Sequence, residues 1–259
     1  MDWLFNTPIA HRGLHDDRLA ENSFSAYRAA IDKGLNIEID VHITTDGTVF
    51  VFHDDTLKRV CGIDKHTNSL TAAELGDCHL CGTEDTIPTF ADFLKLVDGK
   101  VGILIELKTC KNYRRLCEGV AKDLEGYTGN YAIQSFSPFI VKWFETNHPE
   151  MTTGLLSLNY RHYGLIGICG ALMTSGKYMG LKLDFISFDI TGLKAAKSVQ
   201  KRHREGKPLL VWTINTPERL QLAKEMGADN IICELPAFSD GVVRYDSAIS
   251  AATTTETEN

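Results

Sequence analysis

Short apolar, β-branched runs recur along the chain with longer amphipathic stretches between them. TPIAH, NIEIDV, VGILIELK, YAIQSF, TTGLLS, DFISFDI, LLVWTIN and NIICEL make about eight strands. Several are apolar on both faces, the signature of parallel strands covered by helices on either side. The intervening segments carry helix boundary signals: Asn22-Ser23 precedes FSAYRAAIDK with Gly34 after it, and Pro217 opens PERLQLAKEMG, which closes at Gly227. Eight strands alternating with helices predict a (β/α)8 barrel, and 259 residues is an ordinary length for one such domain, here taken as residues 1–245.

One connection breaks the alternation. After NIEIDVHI, the sequence TTDG turns the chain straight into TVFVFH, a hairpin signal. The stretch that follows, about 54–87, is too long for an ordinary connection and reads as a small insertion after the second barrel strand, bringing His53 towards the site and covering part of the pocket. The uncharged stretch from Tyr163 to Gly176 reads as a buried helix, with a lipid-touching surface as the alternative. Its apolar part is too short to span a bilayer. Residues 246–259 are small, polar and aperiodic, and are expected to form a disordered tail.

Composition narrows the function classes. An apolar fraction of 43% with 24% charged residues is that of a globular chain with a large core. Lys and Arg number 27 against 34 Asp and Glu, a net charge of -7, and no basic cluster follows the chain, so nucleic acid is not an expected partner. An anionic substrate must then be drawn by a local positive site, which Arg12, Lys108 and a metal ion can supply. The N-terminus shows neither a secretory signal nor a membrane anchor, so a cytoplasmic location without stable membrane insertion is expected. Seven scattered cysteines suit reduced thiols, and Cys78-x-x-Cys81 lacks a second ligand pair for zinc.

The polar chemistry sits where apolar runs end. Side chains two apart on a strand share a face, so Glu38 pairs with Asp40 and Glu106 with Lys108. Three carboxylates converging without enough cations would repel and stay protonated unless a divalent cation held them together. Oxygen ligands suit Mg²⁺ or Ca²⁺. An internal Glu106–Lys108 ion pair is the plainer alternative. His11 and His53 both end apolar strands beside the carboxylates; His42 shares the parity of Glu38 and Asp40 but is read, with the remaining histidines, as structural. Gln134 ends YAIQ near the rim, and Trp212 in LLVWTIN offers either an aromatic face for a ligand or ordinary core packing.

In order and at compatible spacing, HRGLHDDRLAENSFSAY, IEIDVHITTDGTVFVFHDDTLKRVCG, IPTFADFL, ILIELK, QSFSP and VWTIN resemble the glycerophosphodiester phosphodiesterase family over residues 8 to 236. The resemblance implies an (α/β)₈ barrel with a small insertion after the second strand, and a divalent-cation-dependent enzyme that splits glycerophosphodiesters, such as glycerophosphocholine or glycerophosphoethanolamine, into glycerol 3-phosphate and an alcohol. It makes His11 and His53 an acid/base pair, Glu38, Asp40 and Glu106 metal ligands, and Arg12 and Lys108 phosphate contacts. Ala20 stands where proline commonly precedes the Glu-Asn pair, Val60-Cys61 where threonines are common, and Glu234 where aspartate is frequent. The rival functions are a lysophospholipase D, for which YGLIGICGALM would line an acyl groove, and a non-catalytic barrel that binds a phosphate ligand.

Overall fold

The structure, a computed structural model, describes residues 1–158 and 180–234. The described residues form two compact units, one from Ala10 to Ser135 and one from Met1 to Ile9 with the chain from Phe136 onwards. The stretch 163–176 and the tail 246–259 lie outside the described residues. The elements begin with α1 (Trp3–Asn6), in the unit that contains Met1 to Ile9, and β1 (Ile9–His11), whose residues are divided between the two.

The first unit contains α2 (Phe24–Asp32), β2 (Asn36–Ile43), β3 (Val49–Val51), α3 (Lys58–Cys61), α4 (Ala72–Leu75), α5 (Phe90–Val97), β4 (Ile103–Leu107), α6 (Tyr113–Asp123) and β5 (Tyr131–Ser135). Helix α2 begins where Ser23 Oγ accepts the Ala26 N–H and is followed by Gly34 at φ 66°, as the sequence signals predict. Helix α5 buries Phe90, Phe93, Leu94 and Val97, an i, i+3, i+4, i+7 stripe. Strands β2, β4 and β5 pair in parallel in that order, and all five residues of β4 are buried, as double coverage requires.

The expected hairpin is present: β3 runs antiparallel to β2 with Val41 opposite Val51, and Thr44 Oγ1 accepts the N–H groups of Gly47 and Thr48 in the turn. The insertion has its own apolar cluster, in which Leu57, Val60, Leu70, Leu75, Leu80 and Ile87 pack on Phe50 and Phe52. Cys78 lies in this cluster with its thiol directed at the Glu74 carbonyl, while Cys81 is exposed; both are free thiols.

The second unit contains α7 (Pro138–Asn147), β6 (Thr153–Ser157), β7 (Phe185–Asp189), α8 (Lys197–Arg204), β8 (Leu209–Ile214), α9 (Pro217–Glu225) and β9 (Asn230–Cys233). Strands β6 to β9 pair consecutively in parallel. Pro217 occupies the first turn of α9 and Thr216 Oγ1 accepts the Arg219 N–H, while Gly227 takes φ 67° beyond its end. Asn230 Nδ2 donates to the carbonyls of Leu4 and Thr7 at 2.8 and 2.6 Å, fastening the N-terminal segment to β9. Strands β1, β2, β4 and β5, then β6 to β9, alternate with helices as a (β/α)8 barrel, with β3 the extra strand of the hairpin. Among the described residues no helix is long and apolar enough to cross a membrane.

Gly154 of β6 faces the buried ring of Phe185 on β7, and a Cβ there would lie 2.2 Å from Phe185 Cε2. The ring is fully buried. Gly154→Ala is therefore expected to destabilise the protein by about 1–3 kcal/mol in urea unfolding, as overpacked cores do. Adding Phe185→Leu should recover part of the loss.

Candidate functional site

Strand register assembles the site. Asp40 of β2 lies opposite Glu106 of β4, which lies opposite Gln134 of β5. Glu38, two residues before Asp40, shares its face. All three carboxylates are buried, and one oxygen from each lies within 4.8 Å of the others. The shared face of Glu38 and Asp40, predicted from strand period, and the register of β2 against β4 thus bring Glu38, Asp40 and Glu106 together in the first unit.

Two cations meet this cluster. Lys108 Nζ sits 2.7 Å from Asp40 Oδ1 and 2.6 Å from Glu106 Oε1, so the Glu106–Lys108 ion pair exists and is shared with Asp40. Arg12 donates its backbone N–H to Glu38 Oε2 at 3.1 Å, approaches Asp40 Oδ2 with Nε at 3.3 Å, and gives an Nη1 hydrogen bond to Glu21 Oε1 at 2.8 Å. Arg12 and Gly13 both have positive φ, 57° and 81°. A side chain at Gly13 would come within 3.0 Å of the Ala26 backbone, so glycine lets the turn press against α2. That turn aims the Arg12 N–H at Glu38. Asn22, also left-handed at φ 54°, donates to Asp40 Oδ2 at 3.1 Å and accepts from the Tyr27 hydroxyl at 3.0 Å.

Three acids against two cations, one of them shared with Glu21, leave the cluster short of positive charge. Burial, with Asp40 and Glu106 close by, pushes the Glu38 carboxyl well above its ordinary range. Burial also raises Glu106, against the opposing pull of Lys108. For Asp40 burial works in the same direction, but Lys108 and Arg12 overcome it and hold the carboxyl below its usual range. Such a trio fits a hard divalent cation: close oxygens, buried, with unmet demand for charge at Glu38 and Glu106.

His53 follows β3 and is partly exposed, with Nδ1 2.6 Å from Asp54 Oδ1. Phe52, just before it, donates its N–H to the Asp40 carbonyl at 2.9 Å, which ties the end of β3 to the carboxylate strand. His42 Nε2 lies 3.3 Å from the His53 carbonyl and its ring stacks on Phe50. Burial lowers the His42 pKa to about 4, and the neutral ring so favoured suits a structural group. His11 is the last residue of β1 and is half-buried. Gln134 is buried, with its Oε1 making no hydrogen bond among the described residues. Trp212 belongs to β8 of the second unit, where its ring meets Phe136 edge-on at 5.7 Å and its Nε1 is buried without a hydrogen-bond partner among the described residues.

Four residues around the site were given no role in it by sequence reasoning. Glu21 and Asn22 lie in the strongly polar string ahead of the α2 cap, and Asp54 adjoins His53, so each had a local cue. Arg59 had none: it sits on α3 of the insertion and reaches Glu21, 38 residues earlier in the chain.

The model of the glycerophosphoryl diester phosphodiesterase family matches residues 11–237. YhdW of Bacillus subtilis (strain 168) is 27% identical over 241 residues, covering 89% of this chain and 95% of that protein. A glycerophosphodiester phosphodiesterase of Caldanaerobacter subterraneus subsp. tengcongensis is 26% identical over 252 residues, 91% of this chain and 97% of the relative. Among solved structures, an Oleispira antarctica phosphodiesterase in complex with the product sn-glycerol-3-phosphate has the same fold, with TM-score 0.73 and 21% identity over 89% of this chain and 93% of that one. With the buried acids, the basic residues beside them and the family match extending over most of its length, the chain belongs to the glycerophosphoryl diester phosphodiesterase family, a family of phosphodiester hydrolases.

Proposed function

We propose that this chain hydrolyses glycerophosphodiesters to sn-glycerol 3-phosphate and an alcohol, with His11 and His53 as the acid/base pair and Glu38, Asp40 and Glu106 as ligands of Mg²⁺ or Ca²⁺. The observation that supports it most is the buried carboxylate trio held within 4.8 Å beside Lys108 and Arg12. The product named for the Oleispira antarctica neighbour supports the substrate class.

Phosphodiester hydrolysis needs charge neutralised on the non-bridging oxygens, an oxygen nucleophile activated, and the departing alkoxide protonated. A bound divalent cation supplies positive charge at those oxygens. Arg12 and Lys108, both with pKa raised by the acids around them despite burial, stay cationic and contact the phosphate. Gln134 contributes its amide to the substrate, and Trp212, assigned from its place in VWTIN, an aromatic face to the glycerol carbons.

In the first step one histidine takes the proton of the glycerol 2-hydroxyl and that oxygen attacks phosphorus. The bond from phosphorus to the alcohol oxygen breaks, and the other histidine protonates the leaving alkoxide. The product is a cyclic glycerophosphate, which water then opens: one histidine removes a proton from water and the other returns one to the 2-oxygen. The two imidazoles end as they began, and the net reaction consumes one water.

His11→Ala and His53→Ala are each expected to lower turnover of glycerophosphocholine by about 10²–10⁴-fold, the usual weight of a general acid or base. Wild-type rates in either variant would remove that histidine from the mechanism. Chelation should abolish release of glycerol 3-phosphate, and added Mg²⁺ or Ca²⁺ should restore it. Isothermal titration with the metal alone should show weaker binding to Glu38→Gln and Glu106→Ala than to the wild type, a readout that does not depend on turnover. Single-turnover trapping should capture the cyclic phosphate; its absence, together with activity on substrates lacking the 2-hydroxyl, would point to direct attack by water. Comparison with lysophosphatidylcholine in detergent separates this activity from a lysophospholipase D.

A further inference from the structure

Arg59 uses both edges of its guanidinium. Nε and Nη2 donate to the two oxygens of Asp54 at 2.7 and 2.9 Å, and Nη1 and Nη2 donate to the two oxygens of Glu21 at 2.6 and 2.8 Å. Each carboxylate has a second partner, on the same oxygen that accepts from Arg59 Nη2. Asp54 Oδ1 lies 2.6 Å from His53 Nδ1, and Glu21 Oε1 accepts from Arg12 Nη1 at 2.8 Å. The side chains of His53, Asp54, Arg59, Glu21 and Arg12 thus form one continuous chain of charge-assisted hydrogen bonds within the first unit.

The Asp54 carboxyl is kept ionised, brought down to about 2 chiefly by its hydrogen bonds from Arg59. Burial pushes Glu21 upward, but Arg59 and Arg12 bring it to about 2. An ionised carboxylate only accepts hydrogen bonds, so His53 Nδ1 must be the protonated nitrogen. The lone pair of the neutral ring is then on Nε2. The Arg59 side chain is 51% exposed, and ion pairs that open to water add little stability. What two bidentate pairs do impose is direction, because a planar fork engaged on both edges leaves neither carboxylate free to turn.

We propose that Arg59 is a positioning residue that couples the proton-transfer group to the phosphate contact: it holds Asp54 against His53 Nδ1, leaving Nε2 for the reaction, and holds Glu21 against the Arg12 guanidinium. The inference rests on the roles assigned above to His53 and Arg12. It goes beyond them in giving a function to an insertion residue that need not touch substrate. Lysine cannot replace it, since an ammonium on a flexible stem lacks the two-edged fork.

The test compares Arg59→Ala and Arg59→Lys with the wild type on glycerophosphocholine at saturating Mg²⁺, and repeats Arg59→Ala in an Asp54→Asn background. Arg59→Ala and Arg59→Lys are both expected to lower kcat about 10- to 100-fold, as misplacement of a catalytic group does, with thermal midpoints close to that of the wild type. In the Asp54→Asn background the further loss of kcat should shrink to roughly threefold or less, because the path to His53 is already cut. Nitrogen-15 spectra of the histidine rings, assigned with His53→Ala, give a readout without turnover: the Nδ1–H tautomer of His53 should dominate in the wild type and lose that dominance in Arg59→Ala. A kcat for Arg59→Lys within about twofold of the wild type, or equal losses in both backgrounds, would overturn the proposal. So would an unchanged His53 tautomer in Arg59→Ala. Full turnover by His53→Ala would instead refute the catalytic role of His53, and the tautomer measurement would then decide the Arg59 coupling by itself.

Discussion

Three buried carboxylates, with one oxygen of each held within 4.8 Å of the others, set the terms for the surrounding structure. Each buried negative charge costs several kcal/mol unless it is paired, and like charges this close oppose one another as well. The protein answers with Lys108 between Asp40 and Glu106, the Arg12 guanidinium beside Asp40, and the Asn22 amide and the Arg12 N–H as hydrogen-bond donors. These leave Asp40 charged and Glu38 and Glu106 pushed towards neutrality. The asymmetry is what makes the cluster receptive to further positive charge.

That arrangement depends on a scaffold able to hold polar groups against their preference for water. Parallel pairing of β2, β4 and β5 puts Asp40, Glu106 and Gln134 in one row, so their spacing follows from backbone hydrogen bonds rather than from flexible side chains. The Arg12 turn has a different origin. Its left-handed backbone is an unfavourable conformation for a residue with a side chain, accepted here because Gly13 packs against α2 and Asn22 donates its N–H to the Arg12 carbonyl at 2.9 Å. The insertion adds a third kind of support. Its apolar cluster, built on Phe50 and Phe52, anchors α3 and sets Arg59 between two acids from distant parts of the chain.

Electrostatics around His53 follow the same logic with less burial. Its partner Asp54 is kept ionised by Arg59, and the chain of alternating charges continues through Glu21 to Arg12. Alternation of sign lets each member stabilise its neighbours, and it links two groups that reach the site from different strands.

Much of this was legible in the residues alone. Strand positions, the TTDG hairpin, the Ser23 cap, Pro217 at the start of α9 and the shared face of Glu38 and Asp40 depend on local rules: the period of a strand, the donor needs of a helix end, the backbone freedom of glycine. These properties act over a few residues, so the order of amino acids determines them directly. Only tertiary structure decided that Lys108 would bridge Asp40 as well as Glu106, that Asn22 would turn inward to Asp40, and that Arg59 would grip Glu21. Such pairings join residues brought together by strand register and by the packing of the insertion, and no periodicity along the chain encodes which distant charge a side chain will meet.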